Sequence, residues 1–235
     1  MANAYRKRRI IIAQIIFVVF AFVIVTNTPY KFIKELPAET NTGTVVNVAS
    51  PAITALDTLA IKGRAPKTDY SREQFGSGWA TKNGCDMRNI ILNRDLTDVQ
   101  VDESCNVTSG TLNDPYTGKT ILFVRGSETS SAVQIDHSVA LGDAWQKGAQ
   151  QLTKARRTEL ANDPLELLAV DGPANMKKSD GDAATWLPPN KSFRCQYVAR
   201  QIAVKQKYSL WVTQAEHDAI SKILNTCPEQ QLPSA

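Results

Sequence analysis

Two stretches of sequence decide the fold: Val133-Gln134-Ile135-Asp136-His137, and residues 162–180, which read NDPLELLAVDGPANMKKSD. The first stretch is strand-like and ends in an Asp-His pair. The second opens with an Asn-Asp-Pro turn and continues as the short apolar strand Leu165–Val170. It then reaches Asp171-Gly172-Pro173, where the proline suits the first position of a helix. The predicted order is therefore strand, turn, strand and helix, with Asn175 on the first turn of that helix.

The surrounding segments mix helices with short strands, so the predicted fold class is α+β, mostly helical. Ser50 and Pro51 are typical of the start of a helix that ends near Gly63. The turn signal over 113–118 precedes an apolar strand over 121–124, which predicts a hairpin. The other expected elements are a helix or strand over 87–96 and helices over 143–160, 194–210 and 213–225.

The N-terminus combines a basic cluster at residues 6–9 with an apolar run. Ile10–Val25 follows directly and contains a single polar residue. This order is typical of a signal sequence or signal anchor, and it places the body of the chain outside the cytoplasmic membrane. We expect residues 1–28 to be a signal anchor or signal peptide, 29–63 a linker with a short helix, and 64–235 the folded domain. The protein would then be secreted, or held at the membrane by this N-terminal helix.

Charge is distributed unevenly along the chain. Six of the 27 Lys and Arg residues lie in residues 1–34, which contain no Asp or Glu. The remaining residues hold 21 basic and 23 acidic side chains, so the overall charge of +4 becomes −2 for the body. This balance excludes a folded body that binds nucleic acid through a strongly basic surface.

Cysteine and histidine usage limits the chemistry. An even cysteine count in an exported chain suggests two disulfides, here drawn from Cys85, Cys105, Cys195 and Cys227. Three connectivities are possible, and sequence proximity favours Cys85–Cys105 with Cys195–Cys227. The chain has no CxxC spacing, which makes a cysteine zinc site or a redox-active dithiol improbable. With only two histidines, the chain has no three-histidine zinc site and no HExxH motif.

The two stretches quoted above resemble the HNH nucleases of the ββα-metal superfamily, whose signature is an Asp-His pair, a middle Asn, and Asn-x-x-Lys on a helix. The wider chain, from about Tyr70 to Cys227, is similar to exported bacterial HNH proteins related to the C-terminal domain of GmrSD-type restriction enzymes. The short sequence motifs that carry this similarity are Asp114-Pro115-Tyr116-Thr117-Gly118, Asp143-Ala144-Trp145, Ala161-Asn162-Asp163-Pro164 and Thr185-Trp186-Leu187-Pro188-Pro189. The resemblance implies a ββα-metal core over residues 130–187.

The resemblance also implies roles for individual residues, and their chemistry is compatible with those roles. His137 would be the general base, because a histidine with an ordinary pKa near 6.5 accepts a proton from water at neutral pH. Asp136 and Asn175 offer oxygen ligands for a divalent metal. Mg²⁺ is the expected ion, and Mn²⁺ or Zn²⁺ are compatible. Asn162 would be the middle residue, which braces the loop and helps to orient the histidine.

Three cations are candidate substrate contacts: Lys178, Arg88 and Arg72. Lys178 lies one turn beyond Asn175 on the same helix face. Glu166 stands where many HNH sequences have Asn, so it competes with Asn162 for the middle position, and Asn162 is the better candidate.

The strand itself raises a geometric difficulty. Neighbouring residues on a regular strand point to opposite faces, so Asp136 and His137 can share a site only if the strand ends or bulges there. The four tryptophans are expected in the core rather than as base-stacking platforms: Trp79, Trp145, Trp186 and Trp211.

The sequence therefore predicts a metal-dependent endonuclease outside the cytoplasmic membrane. Its expected substrate is nucleic acid, DNA more than RNA, with low sequence specificity because the body is nearly neutral. The alternative is a cell-envelope binding or scaffold protein that keeps the same frame without catalysis. A redox protein is a third possibility, which the lack of CxxC disfavours.

Overall fold

The structure, a computed structural model, describes residues 51–127 and 129–233. The helices in these ranges are α1 Pro51–Asp57, α2 Met87–Asp95, α3 Leu141–Gln146, α4 Lys154–Ala161, α5 Gly172–Lys178, α6 Arg194–Lys207 and α7 Gln214–Leu224. The strands are β1 Thr81–Lys82, β2 Cys85–Asp86, β3 Leu96–Val101, β4 Val107–Asn113, β5 Thr120–Val124, β6 Val133–His137 and β7 Leu167–Asp171. This mixture confirms the predicted α+β class.

Strands β6 and β7 pair antiparallel and lead directly into helix α5. The register places His137, the last residue of β6, opposite Leu167, the first residue of β7. Asp171 ends β7 and caps α5, because its side chain accepts a hydrogen bond of 2.7 Å from the Ala174 N–H. The predicted order of strand, turn, strand and helix is confirmed, although β7 begins two residues later than Leu165.

The helix predicted over 143–160 is wrong as a single element, since the structure has α3, a 3₁₀ turn and α4 in its place. Gly148 interrupts it with a φ of 122°, and a Cβ there would lie 3.1 Å from the Trp211 ring. Thr153 then begins α4 as a new N-cap and accepts a hydrogen bond of 3.2 Å from the Arg156 N–H. The helix predicted to end near Gly63 also ends earlier, at Asp57.

The predicted hairpin is confirmed as β4 and β5, and β3 pairs with the other edge of β4. One oxygen of Asp114 holds the hairpin turn by accepting a hydrogen bond of 2.7 Å from the Thr117 N–H. The other oxygen accepts a hydrogen bond of 2.9 Å from the Asp171 N–H. Asp114 therefore ties the hairpin to the junction of β7 and α5.

Helices α1, α6 and α7 pack around an apolar core that also receives side chains from β7 and α5. Two disulfides brace the periphery. Cys85–Cys105 joins β2 to the segment before β4, and Cys195–Cys227 joins α6 to the segment after α7. This is the pairing that sequence proximity favours.

A largely buried cluster of ionic side chains, called here the ion cluster, joins α3, α6, α7 and the segments after α1 and α5. It contains three cations and three carboxylates: Arg64, Lys147, Lys205, Asp143, Asp182 and Glu216. The Nζ of Lys147 lies 2.8 Å from Asp143, 2.8 Å from Asp182 and 2.6 Å from Glu216. Because the formal charges cancel, the cluster can be buried without leaving an unpaired ion.

The predicted signal helix and most of the predicted linker lie outside the described residues. Within residues 51–127 and 129–233, no helix combines the length and the apolar character needed to cross a membrane.

Candidate active site

His137 lies at the end of β6 with only 6% of its surface exposed. Its Nε2 is 3.0 Å from the main-chain oxygen of Ala161, at the end of α4. A carbonyl oxygen can only accept, so Nε2 carries the proton and the Nδ1 lone pair is free to act as a base. Burial, assisted by the positive charge of Arg72, lowers the pKa of His137 to about 3. The imidazole is therefore neutral at physiological pH.

Asn162 is hydrogen-bonded through its side chain to two main-chain groups near His137. Its Oδ1 accepts a hydrogen bond of 2.7 Å from the Ala80 N–H, and its Nδ2 donates to the Thr158 oxygen at 2.9 Å. The neighbouring Trp79 ring lies nearly parallel to the His137 imidazole, with ring centres 5.8 Å apart. Asn162 thus connects the end of α4 to the loop that carries Trp79.

Asp136 is buried and held from two sides. The Tyr116 hydroxyl donates a hydrogen bond to Oδ2, and the Lys178 Nζ lies 3.0 Å from Oδ1. Lys178 also donates to the main-chain oxygen of His137 at 2.7 Å, and its side chain has no exposed surface. The structure thus places Lys178 beneath the site, as a partner of Asp136, rather than at the surface where a phosphate would meet it.

Asp136 and His137 border one cavity although their side chains bond in different directions. This polar cavity has a volume of about 250 Å³, and its wall includes Tyr70, Arg72, Asp136, His137, Asn175 and Asp180. The two neighbours can share it because β6 ends at His137. Asp136 and His137 were expected to share a site only if the strand ended or bulged there, and the strand ends at His137.

Asn175 and Arg72 supply complementary groups to the polar cavity. The Asn175 Nδ2 donates to the Gln134 Oε1 at 2.9 Å. Its Oδ1 has no hydrogen-bond partner among the residues described. Arg72 is exposed and is the only arginine in the described part of this cavity wall. The cavity therefore combines oxygen donors suited to a cation with a guanidinium suited to a phosphate.

Glu166 is fully buried under the loop that follows His137. Its carboxyl oxygens lie 2.8 Å from the Ser138 hydroxyl and 3.1 Å from the Val139 N–H. Burial raises the pKa of Glu166 to about 8. Of the two candidates for the middle position, Asn162 therefore contacts the loop that carries Trp79, and Glu166 contacts the residues that follow His137.

The structure does not bring Arg88 to this site. Its guanidinium is partly buried and donates to the main-chain oxygen of Ser130 at 3.4 Å and to that of Val133, the first residue of β6, at 3.1 Å. The described ranges also contain no group of three or more His, Cys, Asp or Glu side chains placed to hold a metal.

Four side chains at the site were not predicted from the sequence as functional residues: Tyr70, Trp79, Tyr116 and Asp180. Tyr116 lies in the Asp-Pro-Tyr-Thr-Gly turn, one of the motifs that carry the family resemblance. That motif was a sequence signal that could have marked Tyr116 as a candidate functional residue. Asp180 is partly exposed and pairs with Lys67 at 2.5 Å, while its carboxylate lies so close to Gly142 that any Cβ there would meet it at 2.5 Å.

Comparisons with known proteins agree with the sequence pattern. The family described as "GmrSD restriction endonucleases, C-terminal domain" matches residues 86–223. A protein of Arthroderma benhamiae described as "Uncharacterized secreted protein" is 40% identical over 194 residues, which cover 81% of this chain and 92% of the relative. No solved structure matches the chain.

Proposed function

We propose, from the premise that the chain belongs to the family of the C-terminal domain of GmrSD restriction endonucleases, that it is an extracellular HNH-type endonuclease. The observation that carries the proposal is the free Nδ1 of a neutral, buried His137 on the wall of a cavity that also contains Asp136, Asn175 and Arg72. The β6–β7–α5 unit would be the ββα core of the HNH type. The two disulfides and the secreted relative support a site of action outside the cell.

In this proposal His137 takes a proton from the attacking water through Nδ1. The Ala161 oxygen holds Nε2–H and fixes the orientation of the ring. Burial is the main cause of the low pKa of His137, and the positive charge of Arg72 adds to it. Arg72 would bind a phosphate oxygen, and the phosphate would then offset that positive charge. The arrival of substrate would therefore increase the basicity of the group that activates water.

The residues present fit a divalent metal. Asp136 and Asn175 place hard oxygen donors on one cavity wall, and the Oδ1 of Asn175 is without a partner among the described residues. Each Asp136 oxygen retains a second acceptor position beside its bond from Tyr116 or Lys178. Two protein donors suffice for Mg²⁺, which keeps several waters. When bound there, the cation would stabilise negative charge on the phosphate and on the leaving oxygen.

The substrate in this proposal is DNA, cleaved with low sequence specificity. The body carries a net charge of −2, so contact with the backbone would come from the site itself and not from a basic surface. Lys178 would hold Asp136 in position through their contact of 3.0 Å, while Arg72 would contact the phosphate.

A plasmid-cleavage assay with the oxidised full chain tests the proposal. Nicking should require a divalent ion, disappear in EDTA, and fall by at least about 100-fold in His137→Ala. His217→Ala is the matched control, since it removes the only other histidine and leaves the site intact. Full cleavage by the His137→Ala protein would reject the assignment.

The same assay distinguishes the alternative function. Mg²⁺, Mn²⁺ and Zn²⁺ should each be tried, with double-stranded DNA, single-stranded DNA and RNA. Binding of these polymers without cleavage by a folded, metal-loaded protein would indicate a binding or scaffold protein that retains the nuclease frame.

A further inference from the structure

A second cavity also borders His137. This aromatic cavity has a volume of about 130 Å³, and its wall includes Arg72, Phe75, Gly78, Trp79, His137 and Ala161. Arg72 and His137 border both cavities, so the aromatic cavity begins where the proposed phosphate site ends. The mechanism proposed above makes no use of it.

The wall of the aromatic cavity has the chemistry of a site for an uncharged planar group. Trp79 and Phe75 provide aromatic surface, and no described carboxylate borders the cavity to repel a nearby phosphate. Gly78 leaves the main chain bare there, since a Cβ on Gly78 would find no atom within 4 Å. The N–H of Gly78 bonds to no other described residue, so it can donate to a polar group on the edge of a planar ligand.

The volume of the aromatic cavity and the chain segment that forms its wall add two further observations. One water needs roughly 10–15 Å³ by the same measure, so the cavity has room for about ten water-sized atoms, close to a single nucleobase. The distinctive part of its wall, residues 72–79, lies outside residues 86–223, the stretch that matches the family of GmrSD C-terminal domains. The cavity is therefore built largely by a segment beyond the matched domain.

We propose that the aromatic cavity is a nucleoside subsite, which binds the base next to the phosphate held by Arg72. This inference rests on the proposed nuclease function and adds a preference to it. A base inside a duplex is stacked and paired on both sides, and it can enter such a cavity only after leaving the stack. Single-stranded nucleic acid, or a strand with an unpaired base, is therefore the favoured substrate. Trp79 would serve as a stacking platform, contrary to the expectation that all four tryptophans are only core residues.

The test is binding of dye-labelled single-stranded oligonucleotides to the unmodified full-length protein in EDTA, which withholds the metal that the proposed cleavage requires. A set of oligonucleotides carries one abasic nucleotide at each successive position. Removing the base that occupies the cavity should weaken binding by about five- to hundredfold, the effect of losing one base–aromatic stack. A duplex of the same sequence should bind more weakly than the single strand.

Variants of Trp79 test whether the loss of affinity for abasic oligonucleotides arises in the aromatic cavity. Trp79→Ala should abolish the difference between intact and abasic oligonucleotides, and Trp79→Phe should retain a smaller difference because it keeps an aromatic face. Circular dichroism and thermal unfolding establish that each variant is folded. The abasic series on the parent protein needs no variant at the cavity, so it decides the question even if Trp79→Ala does not fold.

The outcomes separate this inference from the nuclease proposal. Equal affinity for every abasic oligonucleotide, or failure to bind any single strand, overturns the subsite. A base preference that depends on Trp79 in a protein that never cleaves would support the subsite and reject the nuclease. Metal-dependent cleavage of duplex and single strand at equal rates, without an abasic effect, would support the nuclease and reject the subsite.

Discussion

The carboxyl group of Glu166 lies directly beneath the loop that follows His137, in a place without exposed surface. Val139 and Ser138 donate to it, yet the cost of burying a negative charge exceeds what these hydrogen bonds return, so the pKa rises to about 8. At neutral pH the folded state therefore retains a proton that an unfolded glutamate, with a pKa near 4.3, has lost.

We expect Glu166 to make the folded protein less stable as the pH rises. Its contribution is complete below about pH 4.5 and is lost as the pH passes through about 8, because the folded state binds the extra proton only in that window. Glu166→Gln should lack this decline, so its free energy of unfolding relative to the parent should rise by at least about 1 kcal/mol between pH 5 and pH 9. Urea denaturation at both pH values measures it. Glu159→Gln, at an exposed glutamate, is the control, and parallel pH profiles for the parent and Glu166→Gln would contradict the prediction.

Lys178 and Lys177 are adjacent in sequence but lie in opposite surroundings. Lys178 is buried against Asp136, and Lys177 is exposed. Lys178→Met should lower the free energy of unfolding by about 3–5 kcal/mol, because it leaves the Asp136 carboxylate buried without its cation. Lys177→Met should change it by less than about 0.5 kcal/mol. Thermal and urea unfolding of both variants give the comparison, and similar losses in the two would refute the role assigned to Lys178.

At the scale of elements, the junction between β7 and α5 depends on a close approach of two main chains. Gly172 begins α5, and a Cβ added to it would lie 2.1 Å from the main-chain oxygen of Ser131. Only glycine allows the helix to start here, and this start determines where Asn175 meets the polar cavity.

Gly172→Ala should therefore displace α5 and cost about 1–3 kcal/mol of stability, as overpacking does elsewhere. It should also reduce nuclease activity at temperatures where the protein remains folded, because Asn175 moves with the helix. Gly63→Ala is the matched control, since a Cβ there meets no atom within 4 Å. Unaltered activity in a folded Gly172→Ala protein would show that the position of α5 is not critical.

The elements that could be predicted are those with strong local signals. The Asn-Asp-Pro turn, the proline at the start of α5 and the turn before β5 each impose a local backbone conformation, and the structure has them. The break at Gly148 was missed because its cause is distant: the glycine is needed where the chain passes the Trp211 ring. Strand β3 was missed because Asp98 and Gln100 interrupt its apolar pattern, and its pairing with β4 comes from tertiary structure.

The candidate site also contains residues that could be predicted from the sequence and residues that could not. Asp136, His137 and Asn175 were found from their order, and the structure brings them to one cavity. The surroundings of Lys178 could not be read from helical spacing, because Asp136 reaches it from another element. Tyr70 and Trp79 come from a loop with no periodic pattern, and their proximity to His137 depends on how that loop packs on α4.

On the scale of the whole molecule, many charged side chains are paired or hydrogen-bonded within the protein. The ion cluster buries Lys147 and Lys205 completely and holds Arg64 against two carboxylates. Arg94 and Arg200 donate to main-chain oxygens of residues 164–167. These cations are occupied within the fold, and the body as a whole carries a net charge of −2.

This distribution predicts a small, localised salt effect on nucleic-acid binding. Arg72→Gln should reduce the slope of log affinity against log salt by about 1, the change expected for one lost phosphate contact. Lys119→Gln, at an exposed lysine in the turn before β5, should leave the slope unchanged. Titrations of both variants between about 50 and 200 mM salt measure the difference, and equal slopes in the parent and Arg72→Gln would contradict a phosphate contact there.

The two disulfides carry a consequence for the cell that makes this protein. Each closes a loop of 20 or 32 residues and contributes about 3–4 kcal/mol in chain-entropy terms, a large share of a typical folding free energy. The cytosol and the nucleus keep thiols reduced, so the chain is least stable in the reducing compartments of the cell that makes it. In an oxidising exterior both disulfides can form and the fold gains their contribution. If the proposed activity is correct, the enzyme would become most stable only after export, and the redox difference across the membrane would limit cleavage of the producer's own nucleic acid.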